Sequence, residues 1–208
     1  MPYKPKEREY RSMVVNTAPA DGREKRFDTD YYAEGYCTTY NQPYLMFHMD
    51  GVDYYEVIDA RALDGADLTD IIMQYDHDGR VLAAQRNNTL IFEPHDPHGP
   101  FVAMDMGRSD QAKAIHGDIN AGLITGMSWS FVVADGGDTY DPATHTRTIT
   151  KIRKVYDVSA VSYPTNPNTE ISARSYCERR AAEAQQEIAA ALAKHERTKA
   201  ECLALLSL

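Results

Sequence analysis

Apolar and polar positions follow two periods along this chain. In the segment "GLITGMSWSFVV", Met127, Trp129, Phe131 and Val133 alternate with Ser128, Ser130 and Val132. Successive side chains of a strand point to opposite faces, so one face here is wholly apolar and the other carries two hydroxyls. Similar short runs recur from Tyr31 to about Ile171. "YYAEGYCTTYN" is rich in Tyr and Thr, which favour strands. In "YYEVIDARAL" an apolar segment begins at Val57 and Ile58. "DLTDIIMQY" reads either as a short helix capped by Asp67 or as a strand. "TLIFEP" and "FVAMDM" form a hairpin across the turn-forming "HDPHGP". "RTITKIRKVYDVSAVSYP" is a long strand or a bent pair, ended by Pro164.

The second period is helical. After a capping Ser109, Ala112, Ile115, Ile119 and Leu123 fall on one stripe, with Gly122 near its end. From Ser175 to Leu208 the composition shifts to Ala, Glu, Gln, Lys and Leu, all strong helix formers. Its apolar stripe is thin, Ile188 and Leu192 with His195 or Lys199. It reads as a solvated helix that pairs with a partner or stays detached, or else one packed on its own domain. Residues 1–30 are polar and weakly patterned, apart from a short strand at Met13–Val15. The expected organisation is an N-terminal arm (1–30), a β-rich domain with an embedded helix (31–174) and a helical tail (175–208). Many short strands with irregular turns suggest a closed barrel or a sandwich.

Composition narrows the function. A net charge of −9 argues against a general nucleic-acid binder, which needs clustered Lys and Arg. Cys37, Cys177 and Cys202 are odd in number and widely spaced, which fits neither a disulfide framework nor metal-ligand spacing. The charged start "MPYKPKEREYRSM" lacks the apolar stretch of a signal peptide, and no apolar run approaches the roughly 18 residues of a membrane span. The expectation is a soluble intracellular protein, with Cys37 a small buried strand residue rather than a nucleophile.

Serine becomes a nucleophile only when a base takes its proton and a third group orients that base. Ser128 on its polar strand face is one candidate. Among the seven histidines, His77 follows an apolar segment and lies between Asp76 and Asp78. Asp157 places a carboxylate within an apolar strand, which costs free energy unless it is paired or solvated. Each also has a plain structural reading: a serine bonded to backbone, a solvated turn, an ion pair with Arg153 or Lys154. A metal-dependent hydrolase built on Asp76, His77, Asp78, His95, Asp96 and His98 is a further reading, though a Pro-rich turn offers no fixed ligand geometry.

The order of segments adds a resemblance. "EGYCTTYNQPY", "YYEVIDARAL", "QYDHD", "NNTLIFEPHDPHGPFVAMDM", "INAGLITGMSWSF" and "VYDVSAVSYPTNPNTEISAR" are similar, in this order, to the motifs of the prohead maturation proteases of tailed bacteriophages. The resemblance runs from about Gly35 to Arg174. It implies a fold related to herpesvirus maturation proteases, α+β and mainly β: a small closed β-barrel ringed by a few helices. It implies a serine endopeptidase inside the immature capsid in the host cytoplasm. Its substrates would be the scaffold protein or the scaffolding segment of the major capsid protein, and the protease itself, with self-association. No cofactor, metal, nucleic acid or membrane is implied. The motifs carry the catalytic residues onto His77, Ser128 and Asp157. Two departures stand out: the family usually has Glu at Asp157, and Gly or Ala at Ser130. Asp76 or Asp78 is an alternative orienting group for His77, and Gly136-Gly137 an unassigned source of oxyanion donors. The competing class is a non-enzymatic capsid assembly module on the same fold.

Overall fold

A computed structural model describes residues 8–16, 24–162, 182–183 and 185–197. The strands are β1 (Glu9–Asn16), β2 (Tyr32–Tyr36), β3 (Tyr44–Met49), β4 (Val52–Ile58), β5 (Ile72–Tyr75), β6 (Asp78–Ala84), β7 (Leu90–Glu93), β8 (Phe101–Asp105), β9 (Gly126–Val133), β10 (Asp138–Asp141), β11 (Thr146–Ile149) and β12 (Ile152–Val161). Helix α1 (Asp110–Asn120) precedes β9. Mainly β with a helix embedded is thus the observed class. The ambiguous "DLTDIIMQY" contains a strand, and the long C-terminal β segment is a bent pair, β11 and β12.

Eight strands form one sheet in the order β6-β5-β12-β9-β1-β2-β8-β7, and four form a second in the order β10-β11-β4-β3. The sheet's first and last strands, β6 and β7, are consecutive in the chain. Laid flat, eight strands would hold them about 33 Å apart, whereas the residues from Ala84 to Leu90 can span at most about 21 Å. The sheet must therefore curl, and its inner face closes on a core that includes Met73, Leu82, Leu90, Met104, Met127, Trp129, Phe131 and Val158.

The expected closed barrel is not formed. Among the described residues no ladder joins β6 to β7. Their connection turns back on itself instead: the Ala84 N–H donates to Thr89 Oγ1 (2.9 Å), and the Thr89 N–H to the Ala84 carbonyl (3.1 Å). Nor does a ring of helices surround the sheet among the described residues; α1 packs on its core through Ala112 and Ile119. Ser109 caps α1, its Oγ accepting from the Ala112 N–H at 3.1 Å. The helix stops at Asn120 and the chain turns at Gly122 (φ 72°), so Leu123, expected on the buried stripe, is exposed. Residues 185–197 are helical with exposed side chains, Ile188 and Leu192 included.

Residues 9–16, placed by sequence in an arm, form an interior strand between β9 and β2. Glu9 and Arg11 made this segment look solvated. In the fold they enter a buried ion network that ties the two sheets together. Glu56 on β4 is fully buried and accepts from Arg11 Nε (2.5 Å), Arg11 Nη2 (2.6 Å) and Tyr44 Oη. Arg147 on β11 donates to both oxygens of Glu9 (2.5 and 2.9 Å) and to Asp138 (2.6 and 3.0 Å).

Candidate active site

Strand register assembles a polar face in the middle of the large sheet. Across the β12–β9 pairing Ser159 stands opposite Ser128 and Asp157 opposite Ser130, after an irregularity between Val155 and Asp157. Residues i and i+2 of a strand share a face, so Ser128, Ser130, Asp157 and Ser159 converge there. All four are buried.

His77 reaches this face from a tight hairpin. Tyr75 pairs with Asp78, leaving Asp76 (φ 48°) and His77 (φ 61°) as a two-residue connection. A connection with positive φ at both positions is the type I′ form, which normally favours Asn, Asp and Gly. A histidine held there stores of order 1 kcal/mol of backbone strain. The neighbouring strand over-determines the turn. The Asp76 N–H donates to the Ala160 carbonyl (2.9 Å), and Asp76 Oδ1 and Oδ2 accept from the N–H (2.9 Å) and Oγ (3.0 Å) of Ser162. The His77 N–H donates to Ser159 Oγ (3.2 Å).

So fixed, the imidazole turns onto Asp157, and Nδ1 pairs with Asp157 Oδ1. A carboxylate oxygen can only accept, so Nδ1 carries the hydrogen, and in the neutral ring Nε2 presents a lone pair. Among the described residues His77 Nε2 is buried and unbonded, and so is Ser128 Oγ on the same face. The two are not bonded to each other in this arrangement. The ring edge of Tyr10, from β1, packs on His77 with centroids 4.5 Å apart. Arg8 Nη1 lies 3.8 Å from Asp157 Oδ2.

The structure therefore brings His77 and Asp157 into contact and sets Ser128 on their face. Asp76 is engaged by Ser162, and Asp78 accepts from the Gly79 N–H (2.7 Å), so neither meets the imidazole through these bonds. Lys154 pairs with Asp67 rather than Asp157. The Gly137 N–H is spent on the Ala134 carbonyl within its own turn (3.0 Å). Cys37 is fully buried, and burial pushes its thiol well above the usual range, which removes the thiolate a nucleophile requires. The His/Asp cluster of the metal reading does not converge: among the described residues no three His, Cys, Asp or Glu side chains are placed to hold a metal ion. His95 instead faces Asp64 at 4.0 Å, and Asp96 Oδ1 accepts from the His98 N–H at 3.0 Å. Cys177 and Cys202 lie outside the described residues.

The sequence reading passed over Ser159. Its signal was the period of two, which puts it on the Asp157 face two residues on. Arg8 and Tyr10 carried no such signal, because the strand expected at Met13–Val15 was too short to reach them.

Against this geometry, residues 20–186 match the family of caudovirus prohead serine proteases. The chain belongs to that family. It is thus a serine protease of the kind that matures phage capsids, and the segment order read from "QYDHD" and "GMSWSF" pointed to the right family. No curated protein and no solved structure matches the chain, so kinship with herpesvirus maturation proteases rests on the sequence resemblance alone. Among the described residues, no helix of this prohead protease is long and apolar enough to cross a membrane.

Proposed function

We propose that this prohead protease cleaves peptide bonds with Ser128 as nucleophile, His77 as general base and Asp157 as the group that orients the base. The observation that carries this reading is the pairing of His77 Nδ1 with the buried Asp157. It leaves a buried Nε2 lone pair on the face that bears a Ser128 hydroxyl with no partner among the described residues. In the reaction His77 Nε2 takes the Ser128 proton as Oγ bonds to the substrate carbonyl carbon. The resulting imidazolium is supported by Asp157 and gives its proton to the departing amine as the C–N bond breaks. Water, deprotonated by the same nitrogen, then bonds to the acyl carbon; the acyl–Oγ bond breaks and Ser128 Oγ takes the proton back from His77. The Ser128–His77 bond that the first step requires forms as substrate enters, since catalytic hydrogen bonds commonly tighten only in the complex.

The substrates proposed are the scaffold protein or the scaffolding segment of the major capsid protein, inside the prohead, and the protease's own chain. The division into arm (1–30), protease domain (31–174) and tail (175–208) is proposed with one change of sense: the arm contributes β1 to the catalytic sheet. The chemistry is tested by a fluorophosphonate probe and peptide mapping. Adduct on Ser128, lost in His77→Ala and slowed about 10⁴-fold in Asp157→Asn, supports the assignment. Adduct on another serine, or equal labelling in all three proteins, overturns it.

A further inference from the structure

Asp157 is 1% exposed, and every lone pair of a carboxylate buried to that degree must be filled by a donor. Two hydroxyls do most of this. Ser130 Oγ donates to Oδ2. Ser159 Oγ donates to Oδ1 at 3.1 Å, beside the His77 contact. Buried serines are usually satisfied by backbone carbonyls; these two spend their hydrogens on one carboxylate. Ser159 is also the acceptor for the His77 N–H (3.2 Å), so one hydroxyl holds both the acid and the backbone of the base.

We infer, resting on the catalytic reading above, that Ser130 and Ser159 are positioning residues that set the reach of the short Asp157 side chain toward His77. Both are neutral donors. They fix the carboxylate by hydrogen bonds without adding charge of their own, while Arg8 Nη1 stands off at 3.8 Å from Oδ2, beyond hydrogen-bond distance. The Ser130 hydrogen is committed to Asp157, whereas the Ser128 hydroxyl has no partner among the described residues, so Ser130 is not the nucleophile. The pair Ser130 and Asp157 also works as a unit of length. A glutamate would carry its carboxylate about 1.5 Å further along, into the space the Ser130 hydroxyl fills. Glutamate therefore suits position 157 only when position 130 lacks a hydroxyl.

The test combines kinetics of fluorophosphonate labelling at Ser128 with ¹H NMR of the downfield His77 Nδ1–H resonance, on the full chain. Ser130→Ala should lower the maximal labelling rate by about 10- to 100-fold, the cost of a misplaced catalytic group, with the probe's half-saturation concentration unchanged. Ser130→Ala and Ser159→Ala should each move the Nδ1–H resonance. Asp157→Glu should label slowly alone, and the double variant Ser130→Ala/Asp157→Glu should label at least about 10-fold faster than Asp157→Glu, a non-additivity reserved for groups that share contacts. A resonance unmoved in both Ser variants, or a double variant slowed by the product of the single effects, overturns the inference. If wild-type protein does not label at Ser128 at all, the protease assignment fails separately, and the resonance still decides whether the serines position His77.

Discussion

Arg147→Met tests the claim that a buried ion network locks β1, and with it Tyr10 and Arg8, onto the catalytic sheet. Five charged groups meet there: Glu9, Glu56 and Asp138 against Arg11 and Arg147. Removing Arg147 raises the excess negative charge of this group from one to two, and Glu9 loses both of its bonds to Arg147. Breaking a buried pair on one side costs about 3–5 kcal/mol, which in a chain of this size lowers Tm by about 10 °C. The effect has a pH signature. Burial alone would raise the Glu9 carboxyl, but Arg147 and then Arg11 outweigh it and hold the group down at about 2 against an ordinary 4.5. A depressed folded pKa adds stability above the unfolded value, and that stability is lost as pH falls from 4.5 toward 2. The shift corresponds to about 3 kcal/mol at neutral pH, of which roughly 2 kcal/mol disappears between pH 5 and pH 3. Urea unfolding of both proteins, followed by circular dichroism, should give a large stability difference at pH 7 that narrows by about that amount at pH 3. A difference under about 1 kcal/mol at pH 7, or one that does not change with pH, refutes the reasoning.

Three further outcomes follow from local geometry. Gly99→Ala places a Cβ 1.9 Å from the Thr38 carbonyl oxygen, a backbone clash that no rotamer relieves; it should cost about 3 kcal/mol or more, and an unchanged Tm contradicts the close approach. Ser109→Ala removes the N-cap of α1 and should cost about 1 kcal/mol in urea unfolding; no loss means the cap is spent elsewhere. Cys37 should resist iodoacetamide in the native protein and react on denaturation, as peptide mapping reads out; labelling of native protein at the rate of a free thiol contradicts its burial.

The chain advertised its local structure more clearly than its closure. Ser109, the β7–β8 hairpin and the alternation through β9 were legible because each depends on neighbours within a few residues. β1 was legible only at Met13–Val15, since its charged side chains are balanced by residues from β4, β10 and β11, far away in sequence. The curl of the sheet was hidden for a related reason: it depends on the spatial order of eight strands drawn from the whole chain, with β6 and β7 at opposite edges. At the site, residue types and motif order pointed to His77, Ser128 and Asp157, and the contact of His77 with Asp157 needed the I′ turn and its anchors at Ala160 and Ser162. In sequence Asp157 stood out as a departure, one methylene shorter than the family's usual Glu. In the fold the carboxylate contacts His77 and is held by Ser130 and Ser159.

The most direct test of the central proposal is co-expression of this prohead protease with the phage's major capsid and scaffold proteins, wild type against Ser128→Ala, read by intact-mass spectrometry of assembled proheads. The account predicts shortened capsid or scaffold chains, and a clipped protease, only where Ser128 is present. Identical full-length masses in both sets of assembled particles would contradict it, and would make the chain an assembly module with Ser128 as part of its packing.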